Sequence, residues 1–156
     1  MTTRGLAVRL ALAGLVACAG GDAAAQTPFL LVAQQELAFG QVTPGVPAGV
    51  SPTDVARRAE LRLQGQGTVS VVITLPAHLE DAAGHRIPLD FSAMDGMVTI
   101  KNRTIRFDPA GAVEVRMNPS EPEARLYLGG TARPAANQLP GRYTATITVL
   151  VVPTGA

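Results

Sequence analysis

Apolar and polar residues alternate with period two along most of the chain, the pattern of strands buried on one face. Ala59, Leu61 and Leu63 point one way, while Arg58, Glu60, Arg62 and Gln64 point the other. After Gly65-Gln66-Gly67, read as a tight turn between two strands, Val69, Val71, Ile73 and Leu75 resume the inward face until Pro76 stops the strand. Ile87, Leu89 and Phe91 predict a further strand, and Val98 and Ile100 with Ile105 and Phe107 predict a hairpin about Lys101-Asn102-Arg103. Asp108-Pro109-Ala110-Gly111 is a turn in which Pro sets φ and Gly permits a positive one. Val113, Val115 and Met117 follow, then Ala124, Leu126 and Leu128 after Asn118-Pro119. Tyr143, Ala145, Ile147, Val149 and Val151 line one face of the longest strand, opposite Thr144, Thr146 and Thr148.

Between these runs lie two stretches rich in Pro and Gly, residues 40–56 and 129–142, which read as long irregular loops, the first with room for a helical turn near Ser51–Val55. The tally is eight to nine antiparallel strands and no segment of helical period. That predicts an all-β domain, a sandwich in preference to a closed barrel. Two segments break the alternation. Phe29-Leu30-Leu31-Val32-Ala33, which opens a strand reaching Phe39, and Val149-Leu150-Val151-Val152 near the other end are apolar on both faces. A strand with one wet face should alternate, so both are expected to be covered on both sides. Pairing within the chain would do this. So would strand exchange, with Phe29, Leu30, Leu31, Val32 and Ala33 completing a neighbour's sheet.

The first residues read as an export signal. Arg4 and Arg9 precede the apolar run Leu10–Ala19, which Gly20, Gly21 and Asp22 break. The run is far short of the ~20 residues that span a bilayer, so no transmembrane helix is expected. A basic start, a short apolar stretch and Ala23-Ala24-Ala25 describe a signal peptide over residues 1–25, leaving 26–156 as a single domain. An alternative exit is Leu15-Val16-Ala17-Cys18, which resembles a lipobox. There, cleavage precedes Cys18 and its thiol carries a lipid anchor.

Composition sharpens this picture chiefly by exclusion. The 156 residues hold 13 Lys+Arg, 12 Asp+Glu and one Cys. Cleavage after Ala25 removes Arg4, Arg9 and Asp22, so the 131 remaining residues are balanced at 11 and 11 and carry no thiol. Balanced, dispersed charge argues against nucleic acid as a partner. With one Cys there is no disulfide framework and no Cys-based zinc site.

Candidate chemistry is sparse. His78 and His85 flank Glu80 and Asp81, ligand types suited to a divalent metal, but Pro76 and Ala82-Ala83-Gly84 make this a polar hairpin loop. Asp90, Asp95, Glu121 and Glu123 could supply a hydrolytic carboxylate pair, yet no spacing selects two of them. Ser51, Ser70, Ser92 and Ser120 lack the Gly-x-Ser-x-Gly elbow. Gly65-Gln66-Gly67 lacks the Lys-Ser/Thr of a phosphate loop, and the sequon Asn102-Arg103-Thr104 is most simply a hairpin tip. Neither an enzyme nor a cofactor site is expected. Dispersed arginines leave binding to anionic polysaccharide as a minor reading.

Four stretches, in order, carry a family resemblance. Leu37-Ala38-Phe39-Gly40-Gln41-Val42-Thr43-Pro44-Gly45 is similar to the LxFGxVxPG opening of a group of bacterial exported domains known as domain of unknown function 4402. Gly67-Thr68-Val69-Ser70-Val71 running into Ile73-Thr74-Leu75-Pro76 agrees with it, as does Gly84 followed by Ile87-Pro88-Leu89-Asp90-Phe91. The last stretch is Leu128-Gly129-Gly130-Thr131, leading through Ala136-Asn137-Gln138 to Pro140-Gly141-Arg142-Tyr143. The resemblance spans roughly residues 30–152. It implies an exported immunoglobulin-like β-sandwich, similar in style to spore-coat-U-type and pilin-type domains, and it supplies no catalytic residues. Pilin-type subunits often end in an aromatic residue, whereas Pro153-Thr154-Gly155-Ala156 follows the last strand here.

The expectation is a non-enzymatic structural or adhesive component of the periplasm, outer-membrane surface or exterior. It would assemble with itself or with other surface proteins through its sheet edges. The alternative is a monomeric periplasmic or outer-membrane-tethered binding module that uses loops 40–56 and 129–142.

Overall fold

The computed structural model describes residues 9–16 and 28–155. Among them no segment is helical, so none is a helix long and apolar enough to cross a membrane. Among the described residues thirteen strands form two sheets, more than alternation alone suggests. They are β1 (Arg9–Val16), β2 (Leu30–Gln35), β3 (Ala48–Val50), β4 (Ala59–Gln64), β5 (Gly67–Thr74), β6 (His78–Glu80) and β7 (Arg86–Asp90). After these come β8 (Gly96–Ile100), β9 (Arg103–Phe107), β10 (Ala112–Met117), β11 (Glu123–Leu128), β12 (Gly130–Ala132) and β13 (Thr144–Gly155). A five-stranded sheet has the order β2-β4-β11-β8-β9, and the other eight strands form the second sheet. All pairings are antiparallel except that of β1 with β13.

The alternation decides the core. Leu61, Leu63, Val69, Val71, Ile73, Val113, Val115, Met117, Leu126, Leu128, Ile147, Val149 and Val151 are buried between the sheets, and no polar or charged residue is buried among the described residues. The two sheets pack as a β-sandwich, each inner face supplying one side of that core.

The connections differ from the expected hairpins. Only β6–β7 and β8–β9 are sequential hairpins, and most other connections pass from one sheet to the other. Gly65-Gln66-Gly67 is therefore a corner between sheets, since β4 pairs with β2 and β11 while β5 pairs with β10 and β13. Gly65 has φ 153° and Gly67 φ 118°, and a Cβ at Gly65 would strike the Phe29 ring. β11 reaches β12 through Gly129 alone, where a Cβ would run into the Val50 carbonyl oxygen and lie 2.9 Å from Pro52.

Several local expectations are corrected. The segments 40–56 and 129–142 contain β3 and β12, and the supposed loop around His78 contains β6. Each is three residues long, too short for alternation to show. Ser51–Val55 forms turns, with the Asp54 amide donating to the Ser51 carbonyl (2.9 Å), and no helix. The first strand after residue 28 ends at Gln35, although Leu37 and Phe39 remain buried beyond it. Ile105 does not face the core: it is 44% exposed, because β9 is a rim strand with most of its surface in solvent. Leu30 is 54% exposed, so β2 is not covered on both faces.

One aromatic anchors the approach to β13. The buried Tyr143 donates its hydroxyl hydrogen to the Leu139 carbonyl (2.8 Å) and accepts a hydrogen bond from Gln138 Nε2 (2.7 Å). The turn Leu139-Pro140-Gly141-Arg142 is thereby tied to the core by the side chain that ends it.

Candidate functional site

The longest strand sets up the most distinctive surface. Thr144, Thr146, Ile147, Thr148, Val149, Val151 and Val152 are β-branched, which suits a pleated, half-buried strand. No residue from Thr144 to Gly155 is charged. Thr144 pairs with Glu80 of β6 and also with Arg9 of β1. Residues Thr148 to Val151 pair with both β5 and β1. A strand has two edges, so β5 and β6 share one edge of β13 and β1 holds the other. The parallel register runs from Arg9↔Thr144 to Val16↔Val151. β1 also comes within 8 Å of β2, Cα to Cα, so it lies where the rims of the two sheets approach each other. On the outer face Leu150 is opposite Val72, which is 38% exposed, and Val152 is half-buried.

The rim strands are built differently. β9 carries Arg103 and Arg106, both exposed, and Arg106 Nη1 donates to the Met94 carbonyl (2.8 Å). β10 carries the exposed Glu114 and Arg116. β3 is three residues long between Pro47 and Pro52. Short length, charge and proline are the usual protections of a free edge. β2 and the short β3 are uncharged rims, β2 with Pro28 before it and a register shift between Ala33 and Gln35.

β2 holds most of the segment singled out for strand exchange. Leu30, Leu31, Val32 and Ala33 pair with Gln64, Leu63, Arg62 and Leu61 of β4, and Phe29 packs beside Gly65. Phe29 and Leu31 are partly buried against the core. The segment thus has a partner within its own chain along one edge. Cys18 and the Ala23-Ala24-Ala25 cleavage site lie outside the described residues.

The two loops named as binding surfaces meet. β3 pairs with β12 through Gly130↔Val50, Thr131↔Gly49 and Ala132↔Ala48. The Gly45 amide donates to the Ala135 carbonyl (3.0 Å), and a Cβ at Gly45, where φ is 75°, would sit 3.3 Å from the Ala136 Cα. Spacing along the chain gave no sign of this, because 80 or more residues separate the partners in every one of these contacts.

The outer face of the five-stranded sheet carries a ladder of charges from β4 and β11. Arg62 Nε donates to Glu123 (2.7 Å), Arg125 Nε donates to the same carboxylate (2.9 Å), and Arg125 reaches Glu60 (3.4 Å). Arg58 lies 3.7 Å over the Tyr127 ring. Its Nε has no hydrogen-bond partner among the described residues, and the ring face offers a cation–π contact in compensation. Arg125, with help from Arg62, holds the Glu123 carboxyl below the usual carboxylate range, and Glu123 in turn raises the Arg125 guanidinium. Such a network is a solvated surface and contributes little to stability.

The acid and histidine candidates are separately engaged. His85 Nδ1 is 2.8 Å from Asp81, and His78 Nε2 is 3.4 Å from Glu80, which also accepts from Arg86 (2.9 Å). Arg86, followed by His78, holds the Glu80 carboxyl low. Burial pushes Asp81 up, but hydrogen bonds from the His85 ring and from the His85 and Ala83 amides outweigh it and hold that carboxyl low. Asp90 pairs with Arg133, Glu121 lies 3.9 Å from Lys101, and Asp95 accepts from the Ser92 amide (2.7 Å). Among the described residues, no three His, Cys, Asp or Glu side chains come together as metal ligands would. Asn102-Arg103-Thr104 lies at the exposed β8–β9 turn beside Lys101, whose φ is 53°.

Two further features are not evident from the sequence. The pairing of residues 9–16 with β13 was hidden because an apolar run near a chain start reads as a leader. The Tyr143 anchor had a signal in Pro140-Gly141-Arg142-Tyr143, a tight turn followed at once by an aromatic core position. No protein-family model matches the chain, and no curated protein matches it.

Proposed function

We propose that this chain is an exported, non-enzymatic, immunoglobulin-like β-sandwich that serves as a structural or adhesive component of the bacterial cell surface, joining partners through its sheet edges. The observation that carries the reading is a contrast among strand edges: β13, whose outer edge only residues 9–16 hold, is long and uncharged, while the rim strands β9 and β10 carry charges. Edge pairing draws affinity from backbone hydrogen bonds and specificity from alternate side chains.

The immunoglobulin-like reading draws on the two-sheet sandwich and one aromatic, and the likeness to domain of unknown function 4402 on its motif residues. Tyr143 bonds back to the backbone four residues upstream, as the tyrosine corner of immunoglobulin-type sandwiches does. Gly40 (φ 71°) and Gly45 (φ 75°) of the LxFGxVxPG stretch take positive dihedrals, and Leu37 and Phe39 are buried. The motif residues thus serve turns and core, which agrees with a scaffold shared without a shared active site. Residues 1–25 as a leader, or Cys18 as a lipid anchor, would deliver the domain to the periplasm, the outer membrane or the exterior.

The contact between segments 40–56 and 129–142 favours a second reading, a monomeric binding module whose ligand meets this composite surface. Light scattering on the protein purified from the cell envelope separates the two. Concentration-dependent association supports edge assembly. A strict monomer up to millimolar concentration overturns it in favour of the binding module.

A further inference from the structure

We propose that the outer edge of β13 is a self-association site: once residues 9–16 are removed, Thr144–Val151 pairs antiparallel with the same strand of a second copy. The proposal rests on the edge-assembly reading above and names the edge and its occupant.

That a strand fits this edge is shown by β1, which pairs with all eight residues from Thr144 to Val151. Cleavage after Ala25 would take β1 away, and the chain could not replace it. Residues 26–29 would be all that precedes β2, and at ~3.3 Å per residue they reach about 13 Å, roughly half the length of an eight-residue strand. β2 itself is committed to β4. The uncovered edge would carry neither charge nor proline from Thr144 to Val152, the devices that keep free edges from pairing.

A second copy fits best because the strand is complementary to itself. In an antiparallel pair, opposed residues share a face. A two-fold axis through this strand therefore sets Thr144, Thr146 and Thr148 against threonines or Leu150, and Ile147, Val149 and Val151 against apolar residues. Branched apolar pairs and threonine pairs both favour cross-strand contact. No element of either domain has to unfold. The contact is isologous and closes as a dimer.

The test uses the full chain, exported under its own leader. Single cysteines replace Thr144, Thr146, Thr148 and Leu150 in turn, and a second set combines adjacent members, such as T146C with T148C. Because faces must match, the two-fold passes through a residue, and these variants cover every axis from 144 to 150. Opposed residues lie within disulfide reach. The expected result is a disulfide-linked dimer in at least one variant, and none in Thr104→Cys on β9. An exported chain that oligomerises without any β13 cross-link overturns this edge while leaving edge assembly standing. A monomer in every variant overturns both. A precursor control, Ala13→Cys with Thr148→Cys, places the two cysteines at paired positions. If that pair closes within single chains of the exported protein, the leader still fills the edge and the proposal fails.

Discussion

β13 and β9 each have an edge that no strand after residue 28 pairs with, and the two edges are treated in opposite ways. β9 presents Arg103, Thr104, Ile105 and Arg106, four exposed residues of which two are charged, on a five-residue strand. β13 runs for 12 residues without a charge, and its outer edge is held by β1. β9 has the features of a strand meant to stay single. β13 has those of a strand meant to be paired. Hydrophobicity alone does not separate them, since Ile105 and Leu150 are both apolar residues with solvent contact. Charge along the edge does.

The sharpest break in this comparison is energetic. Ile147→Ala on β13 removes a fully buried side chain and should cost about 2–5 kcal/mol. Ile105→Ala on β9 should change stability by no more than about 0.5 kcal/mol, as at other exposed positions. Denaturant unfolding of the two variants checks both, and similar costs would mean that β9 is packed like β13. Next in size is Tyr143→Phe at the entry to β13. Losing the hydroxyl leaves the Leu139 carbonyl without its donor and should cost about 1–3 kcal/mol. Thermal unfolding reads this directly, and an unchanged midpoint would remove Tyr143 as the anchor of that turn.

A third variant erases the contrast between the two edges. Arg103→Thr with Arg106→Thr gives β9 an uncharged edge and should make the protein associate at lower concentration, read by light scattering. Unchanged scattering would show that charge is not what protects β9.

The smallest effect concerns the charged ladder. Glu123→Gln should cost no more than about 1 kcal/mol. Glu123, Glu80, Asp81 and Asp54 all have carboxyls held low, Asp54 first by the hydrogen bond from Arg57. Their contribution is present above the unfolded carboxylate range and disappears as pH falls through the lower folded values. Stability should therefore be level from pH 7 to about pH 5 and decline below about pH 4. A decline centred near neutrality would contradict this assignment to the carboxyls.

Much of the sandwich was legible because alternation is local. Leu61 and Leu63, Val113 and Val115, and Ile147 and Val149 lie in the core as their period requires. Sheet membership was not legible, because pairing is decided by residues far apart in the chain. Gly65-Gln66-Gly67 looks the same whether the next strand folds back on β4 or crosses to the other sheet. The three-residue strands β3, β6 and β12 were invisible for a different reason: they hold too few residues to show a period, and two of them lie in Pro- and Gly-rich sequence. Of the candidate surfaces, the apolar character of Val149-Leu150-Val151-Val152 was plain. What covers the adjoining edge was not, because residues 9–16 read as a leader to be discarded.

The central claim, that the outer edge of β13 pairs with a second copy, is tested most directly by amide hydrogen exchange on the exported chain at low and high concentration. Amides of Thr144–Val151 that point away from β5 and β6 should exchange more slowly as concentration rises, while those of Arg103–Phe107 stay constant. Protection of Thr144–Val151 that does not depend on concentration, or a concentration dependence confined to β9 or β2, would contradict it.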